Sequence, residues 1–284
     1  MACPTDRTMQ SLAAAPTYAL VIFAAIVVLL EVGRRIGERQ LSLDPVGART
    51  GIGAIEGAVF GLLALLIAFT FSGAASRLDD RRTLITEEVN AIGTAWLRLD
   101  LLPPANQPAL RQLMRDYVDA RIAFYQGLTD KQTAAQENAR AMAAQLNIWK
   151  QTVAAVQQMP SPPLGISVLQ ALNEMIDITT TRSVALKTHP PLIIYLMLLA
   201  LMLVSALLIG FGMAGSARRN WLHGTGYALV MVSVMYVILD FEFPRLGIIR
   251  VDQFDQIMLN QRKSMDEANA IIPTLIEPSL YRNI

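Results

Sequence analysis

Formal charge is scarce in this chain: Asp, Glu, Lys and Arg make up 17% of its 284 residues, against about 25% in soluble domains. Twenty-four basic residues against 23 acidic leave a net charge of +1, so no electrostatic footprint for nucleic acid exists. Cysteine is nearly absent. Cys3 stands alone, which excludes an intramolecular disulfide and any thiolate metal cluster. Histidine is almost as rare, with only His189 and His223, and aromatics reach just 7%. No stretch alternates apolar and polar residues between turn dipeptides, so essentially no sheet is expected. What fills the chain is aliphatic: 53% of residues are hydrophobic and mean hydropathy is +0.39. That excludes a disordered chain and argues against an ordinary soluble enzyme.

The aliphatic residues gather in four runs: Leu12 to Leu30, Ile52 to Ala75, Pro191 to Ala217, and Trp221 to Leu239. A helix rises about 1.5 Å per residue, so some 20 apolar residues cross a hydrocarbon core of roughly 30 Å. Lipid cannot satisfy backbone polar groups, so runs of this length read as spanning helices. The first is expected to remain uncleaved. Arg7 is the one basic residue before it, and EVGRRIGER follows in place of a small-residue cleavage site.

The middle is polar and periodic. Ile85, Val89, Ile92, Trp96 and Leu99 advance by fours and threes and line one helical face. Leu110, Leu113, Tyr117 and Phe124 predict a second helix, and Met142, Leu146, Trp149, Val153 and Val156 a third. A fourth follows from Val168, Leu172, Met175, Thr179 and Leu186. Pro103-Pro104, Gly127 with the N-cap candidate Asp130, and the prolines at 160, 162 and 163 separate them. One continuous helix is expected from about Ile52 to Leu101, leaving the membrane near Arg77. The expected fold is all-α: a polytopic membrane protein with four transmembrane helices and an extramembrane four-helix bundle. Its divisions are 1–75, the bundle 76–190, 191–240, and a tail 241–284 in which Phe254, Ile257, Met258 and Met265 suggest a short amphipathic helix.

Several residues invite function, each beside a plainer reading. Gly53, Gly57 and Gly61 form a small face on the second span, suited to packing within the chain, to a contact between copies, or to a narrow pore wall. Glu56 inside an apolar run faces protein, water or a basic partner as an ion or proton relay or as a pore-mouth charge that would repel anions, or else snorkels to the interface. Phe60, Leu63, Ile67 and Phe71 share a rough face that suits a dewetting constriction, or simple lipid and core contact. Asp240, Glu242 and Arg245 close the fourth span as a salt-bridge anchor, or as a charged vestibule or cation site. Arg77, Asp79, Arg81 and Arg82, with Asp80, Glu87 and Glu88, cluster where the long helix leaves the bilayer. Pairs of this kind are mostly solvated, with gating or subunit contact as the sharper reading. Gly210-Phe-Gly212-Met-Ala-Gly215 matches a dinucleotide fingerprint as a string but ends a spanning helix. Gly165-Ile-Ser167 lacks the closing glycine of a nucleophile elbow. The two histidines sit too far apart for one metal site. Neither cofactor, metal nor enzyme chemistry is expected.

Residues 53–103, GAIEGAVFGLLALLIAFTFSGAASRLDDRRTLITEEVNAIGTAWLRLDLLP, resemble a bacterial family of bestrophin-like membrane proteins. The stretch from Asp240 to Gly247 is similar to that family's closing motif, and the order of elements fits nearly the whole chain. The resemblance implies an inner-membrane protein and, through bestrophins, an oligomeric ion pore of four-span subunits with a helical cytosolic domain. Arginines 34, 35, 39, 49, 218 and 219 in the short loops instead favour a cytoplasmic side opposite the bundle, which would then be periplasmic. Two functions are expected to compete: a homo-oligomeric ion channel with the second span lining the pore, and a sensor or scaffold whose bundle binds a partner. The bilayer, further copies of the chain and ions are the expected partners.

Overall fold

A computed structural model describes residues 15–44, 52–128, 130–215, 221–243 and 252–275. Among them are eight α-helices and no strand. These are α1 (Ala15–Leu43), α2 (Ile52–Arg98), α3 (Gln107–Gln126), α4 (Lys131–Val156), α5 (Pro162–Lys187), α6 (Leu192–Gly212), α7 (Trp221–Glu242) and α8 (Asp252–Leu275). The expected long helix is present as α2, prolonged by a 3-10 turn at Leu99–Leu101 before Pro103. Three helical stretches, Ile52–Leu101, Pro162–Gly212 and Trp221–Glu242, are long and apolar enough to cross a membrane. The first expected span, now α1, begins in residues outside those described.

The chain divides into two compact units. One comprises Met1–Asp79 and Thr188–Arg250, the other Asp80–Lys187 and Val251–Ile284. In the first, α1 packs on α6 and α7 around Ile26, Leu198, Met202, Ala206, Ala228 and Ile238. Glycine makes this crossing close. A Cβ on Gly33 would overlap the Leu207 carbonyl oxygen, and one on Gly210 the Leu30 carbonyl oxygen. One helical turn on, a Cβ at Gly37 would stand 2.8 Å from the Phe211 oxygen. Small residues at fourfold spacing let backbones meet where lipid offers no hydrophobic drive for association. The glycine string that ends α6 is thus steric in purpose. Gly215, in the turn that follows α6, takes φ 83°, which Cβ-bearing residues disfavour. Between α6 and α7 the Tyr227 hydroxyl meets that of Ser205, a residue with no exposed surface.

In the second unit α3 packs on α4 and α8, and α4 on α5. The stripe Ile85, Val89, Ile92, Trp96 and Leu99 is buried throughout, and from Val89 on it packs in one core with Leu110, Met114, Tyr117, Val168, Leu172 and Met175. Pro108 occupies the first turn of α3, and the Asp130 side chain caps α4 by accepting from the Gln132 amide at 3.2 Å. The α4 stripe needs correcting. Met142 and Leu146 are exposed, at 61% and 53%, while Ala141, Ala144, Ile148, Thr152 and Ala155 face the core. Trp149 and Val156 of the expected stripe do pack against the core, while the close contact with α3 places small side chains at 141, 144 and 155 in place of Met142 and Leu146. The tail helix α8 buries Met258 and Met265 and is tied to α3 by Arg262, which donates to Asp119 at 2.7 and 3.2 Å. Residues 252–275 therefore belong with the second unit.

Candidate functional site

On α2, Glu56, Leu63, Ile67 and Ala74 recur at intervals of seven, four and seven and so share one face. Leu63 and Ala74 are buried, at 2% and 0% exposure, so this face is turned to the rest of the first unit. Beside it, Gly53, Gly57 and Gly61 are exposed, and a Cβ built on any of them would meet nothing within 4 Å. Packing within the chain, one of the readings of this glycine face, does not occur among the described residues. Leu62, Leu65 and Phe69 are exposed as well. The aromatic set does not form one surface: Leu63 is buried, Phe60 half-buried, and Phe71 exposed with its ring 5.3 Å from that of Phe241. Glu56 lies against the end of α6. Its Oε1 is buried without a hydrogen-bond partner among the described residues, 3.1 Å from where a Cβ on Gly212 would stand.

A second polar group lies where α2 meets the end of α7. The Glu242 carboxylate has no exposed surface. It accepts from Arg77 Nε at 2.9 Å and lies 2.8 Å from His189 Nδ1, whose ring stacks on Phe243 at 4.7 Å. The expected anchor of Glu242 by Arg245 falls outside the described residues; the partners seen are Arg77 and His189. Asp240 is buried at 5% exposure. The membrane-exit charges are unequally exposed. Arg77 turns to Glu242, while Arg81, itself buried, donates to the Ala185 carbonyl at 3.2 Å. Asp79 is exposed and Arg82 half-buried. Glu242→Gln should lower the stability of the detergent-solubilised protein by about 2 kcal/mol or more, because it leaves the Arg77 guanidinium without its charge partner. Thermal unfolding measures the effect, and His189→Gln should cost less, since Arg77 remains paired.

The Bestrophin-like domain model matches residues 19–253, most of the chain. The chain belongs to the Bestrophin-like family. No curated protein and no solved structure matches it. Membership in the Bestrophin-like family and the three apolar helices together mark a membrane protein.

This Bestrophin-like chain also carries a buried charge cluster that the periodic reading placed among solvated residues. Glu88 has no exposed surface. Its Oε1 accepts from Arg121 Nε at 2.7 Å, its Oε2 pairs with Arg182, and the Tyr125 hydroxyl lies 3.3 Å away. The guanidinium of Arg182 sits 3.7 Å above the Tyr125 ring, and that of Arg121 also bonds the Tyr125 hydroxyl. Burial pushes the Glu88 carboxyl up, but Arg182 and Arg121 outweigh it and hold it below the usual carboxylate range. Burial lowers Arg121 in turn, and Glu88 more than restores it. Tyr117 and Tyr125 are driven far above the ordinary phenol value by burial and then by Glu88. The cluster ties α2, α3 and α5 together. A signal for it exists in the sequence: Glu88 stands three residues after Ile85 and four before Ile92, on the buried stripe itself.

Proposed function

We propose that the chain is a multi-pass integral protein of a bacterial inner membrane, with α1 as a fourth span, that assembles from identical copies into an ion-conducting pore. In this reading α2 is the helix at which copies meet, and its continuation contributes to an extramembrane helical bundle. One observation carries it. Of the most apolar window of α2 only 6% is buried within the chain, against 22% in each of the other two membrane-type helices. A helix with an open glycine face and no close neighbour on that side suits association with another helix in lipid. Closed symmetric rings are the common outcome for identical subunits. Family likeness alone would not support a pore, since function resides in the site.

Recording from purified protein in planar bilayers tests the reading. Wild-type protein is expected to conduct, with a conductance altered by Glu56→Gln. Absence of current in the wild type, with no change on that substitution, contradicts it. The exposed Met142 and Leu146 of α4 favour a second reading, a scaffold that binds a protein partner. Silence in the bilayer, together with a specific photo-cross-link from position 142 to another protein in cells, would favour that reading.

A further inference from the structure

We infer that Glu56 is the carboxylate of a binding site for a small monovalent cation, and that the pore therefore passes cations in preference to anions. The selectivity half of this inference rests on the pore reading; the binding half does not.

The argument begins with a census of charge. The four apolar runs contain no Asp, Lys or Arg, and Glu56 is their one glutamate. The formal charge carried inside these runs is thus negative. Its placement adds to that sign. Glu56, itself half-buried, lies on the face of α2 that also holds the buried Leu63 and Ala74, and its carboxylate lies against Gly212 of α6. Its Oε1 and Oε2 lie 3.1 and 3.9 Å from the Cβ that Gly212 lacks, so the room for the carboxylate comes from that glycine. Gly212 is the last residue of α6. A helix C-terminus carries about half a negative elementary charge on its free carbonyls. A carboxylate and a carbonyl end of the same sign are thereby brought together, one carboxylate oxygen being buried with no donor among the described residues.

Glu56 is half-buried, and the oxygen it does bury is costly without a counter-charge. A small cation supplies one, since helix ends offer carbonyl oxygens as hard ligands beside a carboxylate. One carboxylate matches one positive charge. Among the described residues no three His, Cys, Asp or Glu side chains gather as a multivalent site would use. An anion at this point would meet a carboxylate and a helix terminus that both repel it. The rival counter-charge is an arginine of the chain itself. Arg49, Arg218 and Arg219 stand within about two helical turns of Glu56 or Gly212 in sequence.

The test uses the full-length protein in detergent. Its thermal midpoint is measured in sodium, potassium and N-methyl-D-glucamine chloride at equal ionic strength. A ligand that binds only the folded state raises the midpoint, and a rise of about 3 °C in sodium or potassium over the bulky cation is expected. Glu56→Gln should abolish that difference. Gly212→Ala, which crowds the carboxylate without removing its charge, should reduce it. Equal midpoints in the three salts, or a difference that survives Glu56→Gln, overturn the binding site and leave the arginines as the counter-charge. Reversal potentials across a potassium chloride gradient test selectivity. A cation-signed potential in the wild type, collapsing toward zero in Glu56→Gln, supports it. An anion-signed potential overturns the selectivity half alone, and absence of current overturns it together with the pore reading. Neither result touches the cation site measured by the midpoint.

Discussion

Replacing Glu88 with alanine is expected to destabilise the second unit by about 3–5 kcal/mol, the usual effect of breaking a buried ion pair from one side. Arg121 and Arg182, at 2% and 4% exposure, would be left facing each other with no carboxylate between them. Trp96 reports the outcome, because it is buried in the same core with the Arg111 guanidinium 4.5 Å from its ring centroid. In a Trp221→Phe background, Trp96 and Trp149 carry the tryptophan fluorescence, and both lie in the second unit. Glu88→Ala should shift its unfolding to markedly lower denaturant. Replacing all three charges together, as Glu88→Leu with Arg121→Met and Arg182→Met, should recover much of the loss, since an apolar core of similar volume carries no unpaired charge.

The same cluster sets a pH dependence. The Glu88 carboxyl is held below its ordinary value in the folded protein. Its contribution is therefore complete above the unfolded carboxyl pKa and is lost as pH falls through the depressed folded value. The second unit should be stable at neutral pH and lose stability on acidification below the ordinary carboxylate range. Glu88→Gln should flatten that part of the profile. A slope unchanged by Glu88→Gln would show that other carboxylates govern acid unfolding.

Gly210→Leu and Gly33→Leu are expected to disrupt the crossing of α1 and α6. Even the first carbon of a side chain at either position would overlap a backbone carbonyl oxygen of the facing helix. Backbone cannot rotate away as a flexible side chain can, so the helices must separate and surrender their contact. The expected effect is about 3 kcal/mol or more, at the upper end of overpacking penalties. It should appear as lost folded protein on extraction and a lowered thermal midpoint. Gly57→Leu gives the contrast. Nothing in the described chain lies within 4 Å of its Cβ position, so the subunit fold should tolerate it. A comparable loss at Gly57 and Gly33 would contradict this division of the glycines.

How much of this was legible in the sequence depends on the kind of interaction. The α2 stripe from Ile85 to Leu99 followed directly from spacing, because large apolar residues at three- and four-residue steps leave one way to bury a helix. In α4 the same rule held for Trp149 and Val156, which pack on the core, and failed for Met142 and Leu146. Hydrophobicity weights Met142 and Leu146 heavily, whereas contact with α3 favours Ala141, Ala144 and Ala155. Apolar runs announced helices able to span a membrane but not which glycines would pack. Gly53, Gly57 and Gly61 have the more regular spacing, yet Gly33, Gly37 and Gly210 make the contacts. Charge pairing was least legible. Arg77 meets Glu242 across 165 residues and Arg182 meets Glu88 across 94, distances at which periodicity carries no information. What the sequence did offer was register: a charge such as Glu88 on a buried stripe requires a partner.

The oligomeric state of the full-length protein in lipid nanodiscs, measured by native mass spectrometry for wild type and Gly57→Leu, tests most directly the claim that copies meet along α2. The account predicts a discrete multimer for the wild type and its dissociation in Gly57→Leu, while Leu222→Trp, at an exposed position of α7, keeps the multimer. A monomeric wild type, or a multimer indifferent to Gly57→Leu, would contradict it.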